Sequence, residues 1–231
     1  MFGFMEDRHA KIKENVLRLL RGVPEGIEVV AAAKTRTSDE VIAAVDAGIS
    51  IIGENYLQEA VSLKPHLPPR VKLHFIGHLQ RNKVKKAVEV FDLIETVDSP
   101  EMAIEIDKRC REISRTMKVF IEVNSAREAN KAGVFPEKAE ELVILAASLK
   151  NLKVSGLMTM GPLTERVEEI RPFFRQTRDL FDRIKSVNIE GADLRWLSMG
   201  MSDSYSIAIE EGANIVRIGT GIFGPRKRGN D

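Results

Sequence analysis

Ile27-Glu28-Val29-Val30-Ala31-Ala32-Ala33-Lys34 is followed at once by Thr35-Arg36-Thr37-Ser38-Asp39. The first stretch is largely apolar and reads as a buried strand, with Lys34 at its end. The polar stretch reads as a short loop running into a helix near Ser38, where Asp39 and Glu40 suit the positive end of the helix dipole. The same strand-to-helix unit recurs along the chain. Strand candidates lie at 27–33, 49–52, 72–76, 93–96, 118–123, 153–157, 193–197 and 214–218. Helical patterns begin near Ser38, Tyr56, Lys83, Pro100, Pro136, Arg166 and Asp203, and a further helix over 6–20 precedes the first strand. Ser99 is an N-cap candidate with Pro100 at the first helical position, and Phe135-Pro136-Glu137 repeats the proline logic.

Eight strands alternating with helices predict an α/β protein with a closed (β/α)8 TIM barrel. An open doubly wound sheet is the rival, because alternation does not by itself establish closure. No linker, charge block or fixed-period repeat divides residues 1–231, so they read as one domain. The 231 residues are 43% hydrophobic, enough for a sizeable core. With 35 basic against 34 acidic residues there is no electrostatic footprint for nucleic acid or a membrane surface. The basic run Arg226-Lys227-Arg228 reads as a frayed tail. Cys110 is the only cysteine, which excludes an internal disulfide and suits a reducing compartment. It lies in a helical segment rich in Arg and Glu and reads as structural, not as a catalytic thiol. No stretch approaches the roughly 20 apolar residues of a membrane span, and the N-terminus lacks a signal-like apolar region. A soluble cytoplasmic protein is expected.

In such a barrel, chemistry lies in the loops after the strands. Lys34 occupies the first of these. Two readings stand: a desolvated amine suited to Schiff-base chemistry, or a solvated loop charge. The loops after the last two strands, Ser198-Met199-Gly200-Met201-Ser202-Asp203 and Arg217-Ile218-Gly219-Thr220-Gly221-Ile222-Phe223-Gly224, combine glycines with hydroxyls. Glycines let backbone N–H groups approach an anion, hydroxyls add donors, and a helix N-terminus at Ser202-Asp203 would add positive dipole. These loops are where barrels commonly hold phosphate, unless the glycines serve only tight turns. The segment Gly219 to Gly224 also matches G-x-G-x-x-G, but the seven residues after it leave no room for the helix and second strand of a dinucleotide fold. His74 and His78 lack further ligands at metal-binding spacing, so no metal is expected. Tyr56 reads as a packing aromatic and Trp196 as core. A reactive lysine and a phosphate cradle on one rim call for an aldehyde that carries a phosphate, and pyridoxal 5′-phosphate (PLP) heads that short list.

Several motifs resemble the YggS/PROSC family of PLP homeostasis proteins. They are Ala33-Lys34-Thr35, Gly53-Glu54-Asn55-Tyr56-Leu57-Gln58-Glu59, His74-Phe75-Ile76-Gly77-His78-Leu79-Gln80-Arg81-Asn82-Lys83 and Glu122-Val123-Asn124. Lys131-Ala132-Gly133, Gly156-Leu157-Met158, Leu197 to Asp203 and Val216 to Gly224 continue the match, which runs in order over nearly the whole chain. The resemblance implies a barrel like the N-terminal domain of alanine racemase, with PLP held as a Schiff base on Lys34. It implies that Ser198, Ser202, Gly219 and Thr220 hold the phosphate, with Met199 close by. Arg217 would face the pyridine nitrogen, and Asn55 would lie near the ring. Two positions depart from the pattern: Ala33, often Ser in the family, and Ser204, where an acidic residue is common.

The same residues bear on catalysis. An arginine offers only donors and favours an unprotonated pyridine nitrogen, which weakens carbanion stabilisation. Alanine racemase tolerates this but takes a tyrosine base from a second domain; here the chain ends after the eighth strand and the only tyrosines are Tyr56 and Tyr205. The expectation is a non-catalytic PLP-binding protein that holds, delivers or buffers PLP, with PLP-dependent apo-enzymes as recipients, and so affects amino-acid and keto-acid balance. A small PLP-dependent racemase or transaminase with Lys34 as the only base is the alternative. A class I aldolase-like barrel is a third reading. The absence of a large apolar stripe leans toward a monomer.

Overall fold

In the computed structural model of the chain, each apolar run pairs with the next in parallel. The structure describes residues 2–225 except Leu163 and Glu165, and of residues 2–6 the backbone alone. The strands are β1 (Glu28–Ala32), β2 (Ile51–Glu54), β3 (Lys72–Phe75), β4 (Leu93–Val97), β5 (Met117–Glu122), β6 (Leu152–Met158), β7 (Ala192–Ser198) and β8 (Ile215–Ile218). They form a closed barrel in chain order. Closure comes from β8 returning to β1, with Val29 opposite Val216 and Val30 opposite Arg217. The open-sheet alternative is thereby excluded.

Around the barrel run α1 (Phe2–Gly22), α2 (Ser38–Asp46), α3 (Leu57–Leu63), α4 (Val84–Val90), α5 (Pro100–Glu112), α6 (Pro136–Ser148), α7 (Arg171–Ser186), α8 (Tyr205–Glu210) and α9 (Thr220–Phe223). Local chemistry sets their ends. Thr37 caps α2 in a reciprocal box: its Oγ1 accepts from the Glu40 N–H, and its own N–H donates to Glu40 Oε2. Ser99 Oγ accepts from the Met102 N–H at the start of α5. Most boundaries shift by a residue from the sequence reading, and four differences have a local structural basis. β2 begins at Ile51 because Gly48, at φ 118°, folds the chain back so that the Ile49 N–H donates to Ala44 O. Val167–Ile170 forms a 3₁₀ turn ahead of α7. The helix expected from Asp203 starts at Tyr205, because Ser204 closes a turn onto Met201. The glycine-rich segment after β8, read as a loop, contains the short helix α9, whose Ile222 and Phe223 N–H groups both donate to Gly219 O.

Alternation along the strands creates two cores. Residues such as Ile52, Leu73, Ile94, Val119, Leu157 and Val216 face the helices. Val30, Ile51, Leu93, Phe120, Met158 and Ile215 fill the barrel interior, with half-buried Trp196 packed against them. The helix α1 buries Ile12, Val16 and Leu19 and packs on both α2 and α9. Cys110 is buried within α5, and burial pushes its thiol up to about 11, which suits the structural role expected of it. Among the described residues no helix is long and apolar enough to cross a membrane. The basic run Arg226-Lys227-Arg228 lies outside the described residues.

Gly156 leaves the space into which the interior closes: a Cβ there would lie 2.3 Å from Trp196 O and 2.9 Å from the Phe120 ring. Substituting Gly156→Ala must therefore push strands apart, and should cost about 1–3 kcal/mol of stability, read as a lower denaturant midpoint at unchanged slope.

Candidate cofactor site

Ala32 and Lys34 follow Val30 on the inward face of the first strand and so line the barrel mouth. Lys34 is half-buried, neither a core lysine nor a fully solvated one. Its Nζ sits 5.1 Å from the centre of the Tyr56 ring. Tyr56 therefore does not pack into the core as its sequence context suggested. It stays exposed at the start of α3, because the apolar residues of that helix that turn inward are Leu57, Ala60 and Leu63. Directly after the lysine, Thr35 has φ 63°, an uncommon conformation for a β-branched residue.

Six of the eight residues expected at the site, Lys34, Asn55, Ser202, Arg217, Gly219 and Thr220, line one cavity of about 310 Å³. At one end Ser202 Oγ accepts from the N–H groups of Gly219 (3.2 Å) and Gly221 (3.1 Å). Two incoming bonds leave the hydroxyl proton to donate outward. Gly221 is needed for this closeness, since a Cβ there would lie 2.9 Å from Ile218 Cγ2. The helix N-terminus expected at Ser202-Asp203 lies two residues later, at Tyr205, with Ser204 Oγ accepting from the Met201 N–H in the turn before it.

Ser198 and Met199 are not among the cavity-lining residues; both are fully buried. Ser198 belongs to a polar layer beneath the cavity. Its Oγ donates to Glu95 Oε2 (2.6 Å) and accepts from Arg217 Nη1 (2.6 Å). His74 Nδ1 meets Glu95 Oε1 at 2.8 Å, and Arg217 Nη2 donates to Thr159 O (2.8 Å) and Met160 Sδ (3.3 Å). His74 is thus committed to a carboxylate inside the barrel, while His78 is exposed, 3.8 Å from Asp98. Burial alone would raise the Glu95 carboxyl, but the hydrogen bond and charge of His74, with Arg217 and Ser198, hold it below the usual carboxylate range. Desolvation lowers Arg217, opposed by Glu95 and Glu122.

Several contributors escaped the sequence reading. Arg36 lines the cavity, donates to Gly224 O at 2.6 Å and lies 5.5 Å from the Phe223 ring centre. Its position two residues after Lys34 in the same loop was a usable signal. Met160, Met201 and Ile76 form apolar walls; Ile76 and Met201 lie within the quoted motifs, but nothing in those motifs marks them as walls. A second cavity of about 320 Å³ shares Met160 and Met201 with the first and contains Glu122. Burial, with the charge of Asp98, raises the Glu122 carboxyl to about 7 against a smaller opposing pull from Arg217.

The donor set suits a phosphorylated aldehyde. Three cations, Lys34, Arg36 and Arg217, face one carboxylate, Asp203, in the cavity lining. One is a primary amine, and the hydroxyl–glycine loop supplies hydrogen-bond donors. These features define a barrel of the type that binds PLP, and comparison with known proteins agrees. The alanine racemase N-terminal domain family matches residues 8–227. The chain is 38% identical to a pyridoxal phosphate homeostasis protein of Aquifex aeolicus, over 96% of this chain and 98% of that one. It is 37% identical to a pyridoxal phosphate homeostasis protein of Schizosaccharomyces pombe, over 86% and 84% respectively. The structure of PipY from Synechococcus elongatus with PLP bound superimposes with a TM-score of 0.84 at 31% identity, over 92% of this chain and all of that one. An alanine racemase from Clostridium difficile shares the fold alone, with TM-score 0.77 at 14% identity, covering 97% of this chain and 61% of that one. The chain belongs to the pyridoxal phosphate homeostasis protein family, within the alanine racemase N-terminal domain family.

Glu122 makes the folded chain sensitive to pH. Because its folded value lies above the ordinary 4.5, its protonated form favours folding below about pH 4.5, and that advantage is lost as pH rises to about 7. Glu122→Gln should therefore be near-neutral at pH 4.5 yet stabilising by about 1–3 kcal/mol at pH 8, measured by denaturant unfolding at both values.

Proposed function

We propose that this protein binds PLP through Lys34 and holds or delivers it, as a homeostasis protein without robust catalysis. One observation carries the reading: a single cavity joins the Lys34 amine, the cations Arg36 and Arg217, and the Ser202–Gly219–Gly221 loop. The names of the relatives support it, as does the PLP bound in PipY. When bound, PLP would supply the aldehyde for the amine and the dianion for the loop.

The residues divide this work. Ser202 Oγ, oriented by two glycine N–H groups, donates to phosphate, with Gly219 and Thr220 beside it. Lys34 supplies the covalent anchor, and Asn55 borders the ring. Arg217 is assigned to the pyridine nitrogen, where a guanidinium held on Ser198 Oγ and Thr159 O offers only donors. Such a partner leaves the nitrogen unprotonated, which is why holding the cofactor is favoured over using it as an electron sink. Ser198 contributes through Arg217 and not by touching phosphate; Met199 contributes packing beneath the loop. The recipients are PLP-dependent apo-enzymes in the cytoplasm, with residues 1–231 acting as one monomeric barrel domain and without nucleic-acid, membrane or metal partners.

Purified protein mixed with PLP should develop a yellow band, with borohydride reduction fixing the label on the Lys34 peptide. Lys34→Ala should abolish both, and a persistent band in that variant would overturn the assignment. The catalytic reading has its own check. Holo-protein incubated with L-alanine in deuterated water should show negligible Cα exchange and no D-alanine. Either signal at enzyme-like turnover would replace the homeostasis reading with a racemase.

A further inference from the structure

Lys34 sits on backbone that is itself held from outside the barrel. The Thr35 N–H donates to Glu59 Oε2 at 2.9 Å, so a carboxylate on α3 grips the residue with the positive φ. Left-handed backbone at a residue with a branched Cβ costs of the order of 1–2 kcal/mol and persists only where the surroundings impose it. Within hydrogen-bonding reach of Glu59 lies Glu54, the last residue of β2, only 2% exposed. Its Oε2 has no conventional hydrogen-bond donor among the described residues, and its charged neighbour is Glu59, another acid. Two acids side by side are satisfied when they share one proton.

We infer that Glu54 and Glu59 form a proton-sharing pair that positions the PLP-binding lysine, with Glu59 clamping the strained Thr35 backbone and protonated Glu54 bracing Glu59. The inference rests on Lys34 being the cofactor lysine. It assigns a task to the acids of Gly53-Glu54-Asn55-Tyr56-Leu57-Gln58-Glu59, which do not line the cavity. Burial first, then the charge and hydrogen bond of Glu59, raise Glu54 to about 8, against a smaller opposing effect from the Asn55 N–H. Among the described residues Glu59 is the one carboxylate whose charge acts appreciably on Glu54. The strand neighbours at this level, Phe75 on β3 and Ala33 after β1, are uncharged, and the loop beyond carries the cations Lys34 and Arg36. At neutral pH the pair carries one proton. Above about pH 8 it loses that proton, and two repelling carboxylates loosen the clamp.

The experiment compares wild type with Glu54→Gln, Glu54→Ala and Glu59→Ala through two readouts. One is the protection of the Thr35 amide from hydrogen exchange in ligand-free protein; the other is PLP affinity from visible absorbance, both from pH 6.5 to about 9.5. Glu59→Ala should lose Thr35 protection and weaken PLP binding about tenfold at every pH, as expected for a lost bond to a charged group. Glu54→Gln keeps a donor that cannot ionise, so it should match wild type at pH 7 and exceed it above pH 8 in both readouts. Glu54→Ala should resemble Glu59→Ala. A wild-type to Glu54→Gln ratio flat across pH, or normal Thr35 protection in Glu59→Ala, would overturn the inference. So would Thr35 protection that changes while PLP affinity does not. Wild-type protein that forms no borohydride-trapped lysine adduct would instead overturn the cofactor reading, and the inference with it.

Discussion

The hydrogen bonds between β1 and β8 bring together residues from opposite ends of the chain. Lys34 follows β1 and the glycine loop follows β8, so the amine and the anion cradle become neighbours only because Val30 stands opposite Arg217. The pairing also sets the side on which Arg217 emerges, since inward residues of adjacent strands lie at one level. Ser202 completes the arrangement by reaching from the loop after β7 to the N–H groups of the loop after β8. Three loops are thus joined into one wall by the closing seam.

Beneath that wall the barrel carries charge where a simpler barrel would carry aliphatic side chains. Buried ion pairs seldom add net stability, because desolvation offsets most of the attraction. Here each member has several partners: Glu95 touches His74 and Ser198 and lies 4.0 Å from Arg217, which also binds Thr159 O and Met160. The physical gain is orientation. A guanidinium held by bonds to Ser198, Thr159 and Met160 is fixed in orientation where it lines the cavity.

Much of this was legible in the sequence, and the exceptions have physical causes. All eight strands were readable because buried parallel strands are continuous apolar runs bounded by turn residues. Ser202, Gly219 and Thr220 were readable because glycines and hydroxyls cluster right after strands. The resemblance grouped Ser198 with the phosphate residues; the structure sets its hydroxyl on Glu95 and Arg217 beneath the cavity, a depth that strand periodicity does not give. Tyr56 misled because an aromatic at a helix start looks the same whether it packs inward or covers a neighbouring amine. Closure was expected from the count of eight alternating units and not from any local mark, because it depends on the pairing of the first and last strands. The Glu54–Glu59 contact escaped for the same reason, since a strand end and a helix turn meet only in the folded chain.

The first helix, α1, rests on the last, α9, with Asn15 Nδ2 donating to Ile222 O at 2.9 Å, and Arg36 reaches Gly224 O from the first loop. The cavity wall is therefore assembled from the segments around β1 and β8. A partly synthesised chain could expose Lys34 but would lack the loop that holds an anion beside it. A ligand that needs Lys34 together with Gly219 and Thr220 would bind only the closed barrel and would stabilise it by mass action.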